Sequence, residues 1–289
     1  MIDPIWTIMP VLAGPEMTEA AISDVLAQSV PTRLLIINQG VDDAFRDHLE
    51  RLAEQDERIL CWHHMPPLPS LSASWNLALD LVWQSGGEVA FVVNNDVRLH
   101  PQTVSVLRQV LQRQQALFVS AVGVTAEQFA QAAAWAPETI LVDGDLNKGG
   151  PDFSCFLISK ACHERFRFDE GFIPAHTEDL DLHRRLMLAG EGQRIFSVNM
   201  PYLHYAAQTL KLVDPKTRAR IEYETATIAR AHYARKWGGP VNAETFWYPF
   251  DAAGQAEYPE PLHAADFGDP TTPKLFDHER TLWARPSTS

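Results

Sequence analysis

Three stretches of this chain carry side chains suited to phosphate and proton chemistry. The first is Asn94-Asn95-Asp96, directly after the apolar run Val89 to Val93. Such a run reads as a strand covered on both faces, as in a parallel sheet. Ligands of open α/β sheets bind just beyond the carboxyl ends of these strands. A carboxylate there holds a divalent cation, and the cation holds a phosphate. Asn and Asp also favour turns, and a plain turn after a buried strand accounts for the three residues equally well. The second stretch is Thr177-Glu178-Asp179-Leu180-Asp181, an acidic cluster opening an amphipathic helix. Acids in a first helical turn complement the helix dipole, which explains one acid better than three. The third is His204, in Pro201-Tyr202-Leu203-His204-Tyr205. Neutral imidazole is a competent ligand for Mn²⁺, although with 11 histidines in the chain any single one is weakly specific.

These groups need a frame, and the first half of the chain alternates strand and helix signals. Residues 5–12 read as a strand, and 15–28 as a helix with Ile22, Val25 and Leu26 on one face. Residues 33–38 form a second strand, followed by a helix over 42–55 with Phe45, Leu49 and Leu52 at helical spacing. A weaker strand covers 58–62, a helix carrying Trp75 and Asn76 covers 70–84, and the strand 88–93 follows. Pro101 opens another helix, a favoured first-turn position for proline. Repeated βα units of this length imply an α/β fold, a mostly parallel sheet with helices on both faces.

The second half is less regular. Strands are expected at 117–124, 153–159 and 194–198, and a short Ala-rich helix at 126–135. The acidic cluster begins a helix over 177–189, with Thr177 as N-cap and Gly190 as the stop. A long C-terminal helix spans 215–237, with Ala226, Ala229, Tyr233 and Trp237 on one stripe. Two segments follow from this division: a domain over 1–239 and a tail over 240–289. The tail holds seven of the 20 prolines and eight large aromatics, without the periodicity of an independent core. Exposed Trp and Phe at that density favour aggregation, so the tail is expected to lie extended on the domain or on a second subunit, which would make a homo-oligomer.

The net charge of −13 sets the chain against general nucleic-acid binding, which rests on Lys and Arg neutralising phosphates. No apolar run approaches the roughly 20 residues that span a bilayer, and the N-terminus lacks the basic region of a signal peptide. Cys61, Cys155 and Cys162 make neither a paired framework nor a metal motif, which suits a reducing compartment. The expected location is the cytoplasm.

Taken in order, the Asn94-Asn95-Asp96 and Thr177-Glu178-Asp179 segments resemble the two signature motifs of family 2 glycosyltransferases with the GT-A fold, the Rossmann-like architecture of nucleotide-diphospho-sugar transferases. The run EDLDLHRRLMLAG starting at Glu178 matches the family pattern as a whole. The resemblance covers roughly residues 5–240 and implies a metal-dependent, inverting transfer of a sugar from a nucleotide-sugar donor to a hydroxyl. By position Asp96 is the ligand of Mn²⁺ or Mg²⁺, His204 a further contact to metal or diphosphate, and Asp179 the base, with Glu178 orienting the acceptor or the loop. Asn94 stands where the family's first acid usually lies, so it contacts either ribose or metal-bound water. Pro10 and Leu12, with Val11 between them, match the loop that cradles the base. Asn38-Gln39-Gly40 replaces the usual acidic residue at the uracil edge, which leaves the donor open between UDP- and GDP-sugars. Asn76 falls where a family residue approaches the nucleotide, Asn95 lies within the metal motif, and Asp152 follows two glycines in a loop like the floor of the sugar site. Arg235-Lys236 either screens the diphosphate or caps the helix C-terminus. The acceptor stays open among glycan, lipid, protein and modified nucleobase, with the lacking membrane segment against a polyprenyl-linked one. Two rival readings remain: a catalytically silent GT-A domain, and a nucleotidyltransferase of similar fold, for which Ala13-Gly14-Pro15-Glu16 lacks the usual basic, glycine-rich loop.

Overall fold

The computed structural model describes residues 4–40, 42–132, 142–143, 153–205 and 208–250. Four strands, β1 (Ile5–Val11), β2 (Thr32–Asn38), β3 (Ile59–His63) and β4 (Val89–Val93), come first and pair in parallel in the order β3-β2-β1-β4. The helices between them are α1 (Pro15–Leu26), α2 (Asp43–Gln55) and α3 (Leu71–Gln84). Local chemistry starts each one. Gly14 (φ 89°) turns the chain ahead of α1, and Asp42 caps α2 by accepting from the backbone N–H groups of Ala44 and Phe45 at 2.9 and 3.1 Å.

Beyond β4 the sheet becomes mixed. β5 (Val97–Leu99), α4 (Thr103–Arg113), β6 (Phe118–Val124), α5 (Ala126–Gln131), β7 (Val142–Asp143), β8 (Cys155–Ser159), α6 (Lys160–Arg165) and β9 (Ile195–His204) follow in the chain. The order across the sheet is β3-β2-β1-β4-β8-β6-β9-β5, with β7 also on β9. β8 runs antiparallel to both of its neighbours, and β5 and β7 run antiparallel to β9. β1 to β4 make one parallel stretch, the βα-rich first half that the sequence pattern predicts, and β6 and β9 make a further parallel pair. Pro101 sits in a turn just ahead of α4, which begins at Thr103.

Alternation along the strands divides the core into two faces. On one, Ile36, Phe91, Val93, Val119 and Leu157 pack with α1, α2 and α4 through residues such as Val25, Leu49 and Leu107. On the other, Phe156 meets the Trp75 ring of α3 edge-on at 5.8 Å and stacks on Phe118 at 4.8 Å. Phe156 is fully buried. Phe156→Ala is expected to destabilise the fold by about 3–5 kcal/mol, to be read as a lowered denaturation midpoint at unchanged m-value.

The chain forms two compact units: Met1–Leu68, Ser74–Arg167 and Glu191–Asp214 make the first, with the sheet, and Pro69–Ala73, Phe168–Gly190 and Pro215 onward make the second. In the second unit α7 (Glu178–Leu188) precedes a helical stretch made of α9 (Pro215–Glu224), a π-helical turn (Thr225–Ala229) and α10 (Arg230–Trp237), while α8 (Gln208–Leu212) belongs to the first unit. The π turn corrects the expected stripe. A wider turn rotates what precedes it, so Ala226 is exposed and Thr225 is buried, while Ala229, Tyr233 and Trp237 keep the expected stripe and pack with Phe172. Gly238 (φ 72°) ends α10, and a Cβ there would lie 2.4 Å from the Phe246 ring. Phe246 is buried and its N–H donates to the Trp237 carbonyl at 2.9 Å, so the first residues past 240 fold back on α10. The remainder of the expected tail, 251–289, lies outside the described residues. Among the described residues no helix is long and apolar enough to cross a membrane.

Candidate active site

Strand pairing assembles one group of candidate residues, in the sheet unit. Asp96 ends the turn after β4, and Val97 of β5 pairs opposite His204 at the end of β9. That register sets the His204 Nε2 atom 3.3 Å from the Asp96 Oδ1 atom. The pair is fixed from behind: the Tyr205 N–H donates to the Asp96 carbonyl at 2.9 Å, and the Ser154 hydroxyl lies 3.4 Å from His204 Nδ1. The Asn94 N–H donates to the Ser154 carbonyl at 3.0 Å, and Asn94 itself is half-buried. Asn95 turns inward. Its amide donates to the Ala13 carbonyl at 2.7 Å and the Thr18 hydroxyl at 2.9 Å, tying the turn to the loop after β1.

The expected base-binding ledge lies at the ends of β1 and β2. Pro10 is buried and Leu12 half-buried. A Cβ on Gly40 would come within 2.8 Å of the Leu12 carbonyl, so this approach of two backbones requires glycine. Asn38 donates from Nδ2 to His63 Nδ1 at 3.0 Å and accepts the Gly40 N–H at 3.0 Å. Gln39 accepts the Leu68 N–H at 2.7 Å and donates to the Ser74 hydroxyl at 2.6 Å. Both side chains are buried and shape the ledge through these bonds.

Asn76 is placed differently from the expectation. It is fully buried, and its oxygen accepts from His163 Nε2 at 2.9 Å. The Trp83 indole N–H donates to His163 Nδ1 at 2.9 Å, which puts the ring proton on Nε2. Burial, and then the Arg167 charge, pushes the His163 pKa down to about 3, so the ring stays neutral. Asn76 thus belongs to a core chain of hydrogen bonds rather than to a binding surface. Asp152 and the glycines before it lie outside the described residues.

The acidic turn belongs to the second unit. Thr177 occupies the N-cap position of α7, but at φ 71° its hydroxyl donates to the His176 carbonyl at 2.6 Å and makes no cap. His176 has φ 81°. Two successive non-glycine residues in the left-handed region cost roughly 1–3 kcal/mol each, and such strain gathers at functional sites. Glu178 is buried, and among the described residues its Oε2 has no hydrogen-bond partner. Burial first, then the charges of Asp179 and Asp181, hold its pKa well above the carboxylate range, so it carries its proton at neutral pH. Asp179 is half-buried and accepts the Leu180 N–H at 2.8 Å. Two adjacent acids therefore sit in different environments, the arrangement that separates proton-holding from proton-accepting roles.

Lys236 departs from the diphosphate-screening expectation. It has no exposure and donates to Asp169 Oδ2 at 2.7 Å and Asp181 Oδ1 at 2.9 Å. The sequence reading misses Asp169, Ser154, His163 and His232 as structural partners of the candidate groups. The spacing of His232 and Lys236, one helical turn apart, is the one local signal of a shared face.

Among the described residues no group of three or more His, Cys, Asp and Glu side chains could hold a metal ion. Asp96 and His204 supply one carboxylate oxygen and one imidazole nitrogen, a donor set that suits Mn²⁺ when phosphate oxygens and water complete the shell. The residues present therefore fit a divalent cation shared with a bound diphosphate.

No family model matches the chain, and no curated protein matches it in sequence. Among solved structures it is similar to residues 1–349 of TarS from S. aureus, with a TM-score of 0.52 and 10% identity, covering 80% of this chain and 72% of that one. The same TarS segment in complex with UDP matches with the same TM-score, identity and coverage. The fold is thus a GT-A-like α/β fold, similar to that of the TarS segment.

Proposed function

We propose that this chain is a metal-dependent, inverting glycosyltransferase that takes a UDP- or GDP-sugar and delivers the sugar to a hydroxyl acceptor. The observation that carries the reading is the Asp96–His204 pair, set by the β5–β9 register just beyond β4, in a fold shared with a protein crystallised with UDP. Asp96 and His204 are the residues that would hold Mn²⁺ or Mg²⁺. When bound, the cation neutralises charge on the diphosphate leaving group. Asp179 takes the proton of the attacking hydroxyl while the acceptor oxygen bonds to the anomeric carbon; the bond from that carbon to phosphate oxygen breaks, and its electron pair leaves with the nucleoside diphosphate. Glu178 holds its own proton, and Asp179 is the acid of the pair that accepts one.

A panel of nucleotide sugars in a thermal-shift assay with Mn²⁺ tests the donor. Binding to the native state alone stabilises it by RT ln(1 + [L]/Kd), so the true donor raises Tm and does so more with Mn²⁺ than with chelator. Donor hydrolysis measured alongside separates the readings. A Tm shift with no sugar released marks a silent binding domain, release of nucleoside monophosphate rather than diphosphate marks a nucleotidyltransferase, and no shift with any donor sinks the proposal.

A further inference from the structure

The second unit buries several charged groups around one lysine. The Lys236 ammonium bridges Asp169 and Asp181, and all three side chains are fully buried. His232, one turn earlier on α10, shares Asp169 Oδ2 at 2.8 Å. The Trp237 indole N–H donates to Asp181 Oδ1 at 2.9 Å, and Arg185 Nε donates to Asp181 Oδ2 at 2.8 Å. Phe172 and Trp237 place their rings 5.8 and 6.0 Å from the ammonium. Buried ion pairs of this kind are often matched or bettered in stability by well-packed apolar residues. What this arrangement supplies that apolar residues would not is direction, because two carboxylates from separate places in the chain must meet one nitrogen.

Those two places bracket the acidic turn. Asp169 stands before the loop that leads into α7, and Asp181 stands in the first turn of α7. Between them lie His176 and Thr177, both left-handed, and Asp179. A strained segment persists only when its surroundings over-determine it, and here both of its flanks are held by the same ammonium. We propose that Lys236 is a positioning residue for Asp179: by clamping Asp169 to Asp181 it holds the strained 176–179 turn in the geometry the base requires. This rests on the reading of Asp179 as the base, while the clamp itself is testable without turnover.

Lys236→Met keeps the stem and removes the ammonium. In that variant, with rates normalised to folded protein by near-ultraviolet circular dichroism, kcat is expected to fall about 10-fold or more while KM for the donor stays within about twofold. Backbone amide exchange over 174–182, measured without substrate, is expected to quicken relative to the rest of the second unit. Asp169→Asn with Lys236→Met, which keeps the net charge, is expected to recover Tm but not kcat or protection. Unchanged kcat and unchanged exchange in a folded Lys236→Met variant would overturn the proposal, as would full recovery of kcat in the double variant. Should Lys236→Met fail to fold, Trp237→Phe leaves the lysine in place and removes the indole N–H on Asp181 together with part of the buried ring. Faster exchange at 178–181 with a several-fold loss of kcat then supports the clamp, and wild-type values overturn it. Where the wild-type chain turns over no donor, exchange alone decides: protection lost on substitution upholds the clamp, and protection retained removes it.

Discussion

Asp179→Asn is expected to lower kcat by roughly 10²-fold or more while donor affinity changes little. The side chain accepts the Leu180 N–H at 2.8 Å, and an asparagine oxygen makes the same bond in the same volume. The substitution therefore isolates basicity from shape. On the proposed reading donor affinity rests with the Asp96–His204 pair of the sheet unit, a separate set of residues. The measurement is steady-state transfer with the identified donor beside a direct nucleotide-binding titration. Near-native turnover would remove Asp179 from the mechanism and leave the fold and the donor reading intact.

The second large effect is expected at Asp96. Asp96→Ala removes the carboxylate of the candidate cation pair, so the Mn²⁺-dependent part of nucleotide affinity should disappear. The expected loss is about 10-fold or more in Kd, equal to about 1.4 kcal/mol or more. Nucleotide binding in chelator should stay as in the wild type, which separates loss of the cation from loss of the pocket. The fold is expected to survive, because the contact with the Tyr205 N–H is made by the Asp96 backbone carbonyl. Equal affinities for nucleotide in Mn²⁺ before and after the substitution would refute the assignment.

The two substitutions probe residue groups that were unequally legible in the sequence. The parallel half of the sheet was readable from local pattern, since Ile5–Val11, Thr32–Asn38 and Val89–Val93 are apolar runs with helical periodicity between them. Asp96 announced itself by following such a run. Its pairing with His204 depends on β5, three residues long and too short to carry a periodicity. Asn76 was misplaced because its environment is decided by His163, 87 residues further on, which no local signal connects to α3. Thr177 looked like an N-cap on residue type alone, whereas the loop into α7 holds it at φ 71°. The π turn at Thr225–Ala229 is invisible in a chain read at a constant 3.6 residues per turn. What local pattern misses is long-range pairing and backbone strain, and the acidic turn is built from both.

The order in which the chain is made gives the Lys236 bridge a further meaning. The groups it compensates lie far upstream, with Asp169 preceding it by 67 residues. A growing chain presents Asp181 with Arg185 four residues on, but Asp169 long before His232 and Lys236 exist, and desolvating that carboxylate without them costs several kcal/mol. During synthesis the acidic turn is therefore expected to stay solvated until α10 emerges. Synthesis that stops short of residue 236 yields a chain with its sheet residues complete and its acidic turn still loose: one half of the proposed chemistry matures on the ribosome ahead of the other.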